Sequence, residues 1–67
     1  MNDEEKYREV GNIVYSLTQL YSDDDEGKAQ AMREAYCNRM HGFFSRAMRV
    51  KSSGRWGCYV SLVKKGE

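Results

Sequence analysis

Apolar positions recur at two different periods along this chain. Over residues 3–21 they fall three and four apart: Tyr7, Val10, Val14, Leu17 and Tyr21 make one stripe, widened by Ile13 and Leu20. That spacing predicts an amphipathic helix over about residues 3–21. Asn2 and Glu5 have the spacing of a capping box at its start. A second stripe, Ala29, Met32, Tyr36, Met40, Phe43 and Ala47, predicts a second helix over about residues 25–47. The break between them, Ser22-Asp-Asp-Asp-Glu-Gly27, suits a helix cap and first turn. Two helices joined by so short a connection imply an antiparallel αα-hairpin.

Near the C-terminus the period changes to two. Met48 and Val50 alternate with Arg49 and Lys51, and Trp56, Cys58, Val60 and Leu62 alternate with their neighbours. This predicts a β-hairpin over about residues 48–63, turning at Ser52-Ser53-Gly54. A three-residue loop pairs Val50 with Trp56 and Met48 with Cys58, which places all four on one face. The expected fold is therefore α+β: a two-helix hairpin followed by a β-hairpin in one small domain, 1–67. Its expected core brings Val14, Leu17, Met40, Phe43, Trp56 and Val60 together.

Size limits what such a domain can do alone. A chain of 67 residues buries only about 60% of its unfolded surface, so a disulfide, a metal or a partner commonly assists it. Two cysteines, Cys37 and Cys58, make no disulfide framework. The first residues carry no basic and apolar leader, and no apolar run approaches the ~20 residues of a membrane span. A cytoplasmic homodimer that does not engage a membrane is the expectation, helped by the unpaired edge of the hairpin.

Charge adds a second feature. Residues 1–26 hold eight acidic and two basic side chains; residues 27–67 hold nine basic and two acidic ones. The net of +1 thus conceals halves of −6 and +7. The basic half is a candidate surface for an anion or an acidic partner. Its expected exposed face comprises Arg39, Arg46, Arg49, Lys51, Arg55 and Tyr59. Clustered arginines engage carboxylates and phosphates, and an exposed tyrosine can stack on a base. The acidic patch Asp23, Asp24 and Asp25 is the alternative contact surface.

Catalytic and metal chemistry find little support. An EF-hand loop begun at Ser22 has Gly27 at its sixth position but Arg33 at its twelfth, where a glutamate is needed. Cys37 and His41 share a helical face, and Cys58 could approach them, but a structural zinc site needs a fourth ligand. No nucleophile elbow or phosphate loop is present. No cofactor is implied. The sequence thus points to a non-enzymatic protein that binds and modulates or inhibits a larger protein, in the manner of small accessory proteins of mobile elements. The alternative is a small nucleic-acid-binding protein that uses the basic face.

Overall fold

Gly11 and Asn12 decide the N-terminal third. In the structure, a computed structural model that describes residues 6–64, both lie in the left-handed region, with φ of 58° and 68°. Two consecutive left-handed residues make the tight connection that matches the twist of an antiparallel pair. Glycine meets no Cβ clash there, and asparagine tolerates the conformation. Strands β1 (Tyr7–Val10) and β2 (Ile13–Leu20) pair across this turn, Val10 opposite Ile13 and Tyr7 opposite Ser16. Over residues 7–20, the helix expected across 3–21 is therefore replaced by a β-hairpin. Val10, Ile13, Val14, Tyr15 and Thr18 are β-branched or aromatic, the types that fit a pleated surface. The capping pair Asn2 and Glu5 lies outside the described residues.

One helix follows, α1 (Asp25–Met40). The acidic segment starts it as expected. Asp24 is the N-cap: its Oδ1 accepts from the Gly27 N–H at 2.9 Å and from Ser22 Oγ at 2.6 Å. The helix ends at Met40 rather than near residue 47. Gly42, with φ of 94°, follows the C-cap His41 in the left-handed position, and its N–H donates to the Arg39 carbonyl. Phe43, Phe44 and Ala47 consequently belong to β3 (Phe43–Arg49), which pairs with β4 (Trp56–Lys64). The sheet order is β1-β2-β4-β3, antiparallel throughout. Among the described residues the architecture is a four-stranded sheet with the helix Asp25–Met40 on one face, and the expected two-helix hairpin is corrected accordingly.

The C-terminal hairpin exists but begins earlier, and its register is one residue off the expected one. Arg49 opposes Trp56, Met48 opposes Gly57 and Ala47 opposes Cys58. The Val50 N–H donates to the Arg55 carbonyl, and the Gly54 N–H to the Val50 carbonyl. The connection is thus Lys51–Gly54, with Gly54 at φ 73°. A slip of one residue sends side chains to the other face. Trp56 and Cys58 face α1, whereas Met48 and Val50 share the opposite face with Tyr59.

That opposite face holds the apolar core. Tyr15, Val50 and Tyr59 are buried there, with Val10, Ile13, Leu17, Leu20, Phe44 and Met48 packed around them. The sheet curls over this core. A flat sheet would separate β1 from β3 by about 14 Å, three strand spacings, yet Arg8 on β1 reaches the Arg49 carbonyl on β3 at 3.0 Å. Its guanidinium also lies 5.7 Å from the Tyr59 ring centre.

The helix side is built differently. Its buried positions are Gly27, Ala31 and Ala35, small residues that allow close approach. Polar groups complete the layer. Asn38 Nδ2 donates to Ser45 Oγ at 3.2 Å, and Ser45 Oγ to the Tyr59 carbonyl at 2.7 Å. Thr18 Oγ1, at the β2 bulge, lies 3.0 Å from Glu34 Oε2 and 3.1 Å from the Cys58 carbonyl. The Tyr21 hydroxyl donates to the other Glu34 oxygen. The expected core set does not assemble. Val14 and Met40 are exposed, and Leu17 and Trp56 lie on opposite faces of the sheet.

Candidate functional site

Small residues on the buried side of α1 turn its larger apolar residues outward. Met32, Tyr36 and Met40 follow one another at four-residue spacing and are 51%, 59% and 70% exposed. Phe43 and Ala47 of the expected stripe belong to β3, and its helical part faces solvent rather than the core. Helical geometry places it on the β3 flank, because Glu34, on the other flank, meets Thr18 and Tyr21 near β2.

Below the stripe, α1 and β3 bound an open groove of about 180 Å³. Met32, Ala35 and Arg39 line it from the helix, and Ser45, Arg46 and Ala47 from the strand. Met32, Ala35 and Ala47 make it partly apolar, and Arg39 and Arg46 make it basic. Among the described residues, neither of these guanidinium groups has a hydrogen-bond or ion-pair partner.

The other members of the expected basic face are placed differently. Arg49 covers the Trp56 ring at 4.8 Å and donates to the Gly54 carbonyl at 2.6 Å. Its second nitrogen reaches the Asp23 carbonyl at 3.5 Å. Lys28 lies 5.4 Å from the same ring. Arg55 Nε donates to the Tyr21 carbonyl at 3.1 Å. Arg49 and Arg55 therefore fasten the β3–β4 hairpin end to the segment between β2 and α1. Lys51 is exposed in that loop. Tyr59 is fully buried and offers no ring to a base.

The acidic patch is engaged in structure as well. Asp24 caps the helix, and hydrogen bonds from Ser22 and from the Gly27 amide hold its carboxyl below the usual range. Asp23 and Asp25 are exposed beside it.

Cys37, His41 and Cys58 do not converge. Cys37 and His41 are exposed, while Cys58 is buried under α1 against Asn38 and Ser45. Burial pushes the Cys58 thiol up, so it is held protonated. Among the described residues, no three His, Cys, Asp or Glu side chains are grouped as metal ligands, and no helix is long and apolar enough to cross a membrane.

The groove residues missed by sequence reasoning are Met32, Ala35, Ser45 and Ala47. The sequence carries some signal: Arg39 and Arg46 stand within the stretch whose apolar stripe helical spacing assigns to the core. Compared with protein-family models, curated proteins and solved structures, the chain matches none.

Proposed function

We propose that this chain is a non-enzymatic binding protein that docks on a larger protein through the α1–β3 face and modulates or inhibits it. One observation carries the reading: the exposed Met32–Tyr36–Met40 stripe borders two arginines that have no partner among the described residues. A contact surface with an apolar, aromatic centre and an arginine rim is the composition on which protein partners gain most of their affinity. The partner surface that complements it is apolar at its middle and acidic at its border. Arg49, Arg55 and Tyr59 play structural parts instead, so the binding face is narrower than the basic half of the sequence.

The test is site-specific photo-crosslinking in the native host. A photoreactive phenylalanine replaces Tyr36 in one variant and Glu9, remote on β1, in another. The reading expects a discrete protein adduct from position 36 and none from position 9. Equal adducts from both positions would refute it. An adduct to nucleic acid alone would transfer the function to the alternative reading, and a gel shift that weakens steeply with salt would accompany that result.

A further inference from the structure

We infer that the groove accepts an extended, acidic segment of the partner as an added strand on the open edge of β3. The inference rests on the protein-binding reading above and specifies its chemistry.

Backbone alternation supplies the first argument. The Val50 N–H points to β4, where it donates to the Arg55 carbonyl. Trp56, opposite Arg49, turns its own backbone toward the other side, where its carbonyl accepts from the Tyr21 N–H at 2.7 Å. In an antiparallel ladder the residues of such a wide pair point away from each other. Arg49, Ala47 and Ser45, opposite Trp56, Cys58 and Val60, therefore direct their N–H and C=O groups outward from the sheet. β3 is the last strand in the order, so these groups meet no fifth strand among the described residues. Arg8 already occupies the Arg49 carbonyl. The edge left for pairing is short and centred on Ser45 and Ala47.

Side-chain chemistry supplies the second. Strand addition derives affinity from main-chain bonds and specificity from alternate side chains. On the helix side, an added strand would meet Met32, Ala35 and Ala47, which suit an apolar side chain, and Arg39, which suits a carboxylate. Arg46 registers opposite Tyr59, so it starts from the other face and meets the alternate set. Acidic residues are thereby favoured on both sides of the added strand. A second copy of this chain fits less well, because symmetric pairing of two β3 strands brings Arg46 and Arg49 of each copy to one seam, and like charges across a pair destabilise it.

The test uses the full chain, labelled with ¹⁵N, and a capped octapeptide that repeats Glu-Glu-Val-Val, which puts both residue types on each side of a strand. Three further probes share the titration: the same peptide with N-methylated backbone amides at alternate positions, a lysine–valine octapeptide, and an oligothymidylate. The inference expects the acidic peptide to shift the amides of Ser45, Ala47 and Arg39 most, and N-methylation in one phase to weaken binding by tenfold or more. The lysine peptide should leave those amides in place. Equal binding of both N-methylated phases would overturn strand addition and leave the protein-binding reading standing. No shift at millimolar acidic peptide would overturn the inference too. Two other results would reassign the groove: oligothymidylate moving these amides when peptide does not, or the amides moving with protein concentration alone.

Discussion

Arg8 on β1 donates from Nη1 to the carbonyl oxygen of Arg49 on β3, 3.0 Å away and 41 residues later. The contact joins the two outermost strands of the sheet across its curled face. It also withdraws one outward carbonyl from the β3 edge, which limits how far that edge is open to pairing. The same guanidinium shields the Tyr59 ring.

Removing this clasp should loosen the curl. Arg8→Met keeps the apolar stem but loses the hydrogen bond and the ring contact, and should cost about 1–2 kcal/mol. Arg8→Lys should recover only part, because an ammonium lacks the planar fork. Chemical denaturation of the three proteins checks the order. Equal midpoints for parent and Arg8→Met would show that the clasp contributes nothing.

Gly27 is required by space rather than by φ. A Cβ built there would lie 1.9 Å from the Ser22 carbonyl oxygen. Gly27→Ala would ordinarily favour a helix; here it should destabilise by about 1–3 kcal/mol, because the Ser22 turn must move. Thermal melting reads the sign directly, and a rise in Tm would mean that the turn is not closed on the helix as described.

The Tyr21–Glu34 contact predicts an alkaline weakness. Its hydrogen bond to Glu34, then burial, raise the Tyr21 pKa to about 12 from 10.0. The folded state therefore holds this proton where the unfolded chain releases it. The stabilisation is fully present below pH 10 and is lost as pH rises toward 12. Tyr21→Phe should be less stable than the parent near neutrality and show a shallower decline over that window. The decline should not vanish, because the Cys58 thiol is also pushed up, chiefly by burial. Urea midpoints at several pH values measure both slopes.

The parts of the fold legible in the sequence were those with local chemistry. Asp24 and the acids after it marked the start of α1, and Gly54 marked the β3–β4 turn. The N-terminal hairpin was hidden because Tyr7, Val10, Val14, Leu17 and Tyr21 satisfy helical spacing by coincidence. Gly11-Asn12 between β-branched residues was the competing local signal, and it prevailed. Gly42 was a stop signal of the same kind, overrun by extending the stripe through Phe43 and Ala47. The hairpin register failed because a three-residue and a four-residue loop differ by one position, which exchanges the faces of Val50 and Trp56. The burial of Tyr59 depends on a long-range curl fastened by Arg8, for which no local pattern exists. The outward turn of Met32, Tyr36 and Met40 had the same origin: small and polar residues at Ala31, Ala35 and Asn38 took the helix–sheet contact.

The most direct measurement is the photo-crosslink yield from position 36 in two charge-reversed backgrounds. The arginines without partners are reversed in one, Arg39→Glu with Arg46→Glu, and the loop arginines in the other, Arg49→Glu with Arg55→Glu. Each reversed pair removes charge-assisted bonds worth roughly 1.5–3 kcal/mol apiece if it faces the partner. The account expects the Arg39/Arg46 reversal to cut the yield by about tenfold or more with little change in melting temperature. The Arg49/Arg55 reversal should lower the melting temperature and spare the yield wherever the protein remains folded. An unchanged yield in the folded Arg39/Arg46 variant would contradict the account.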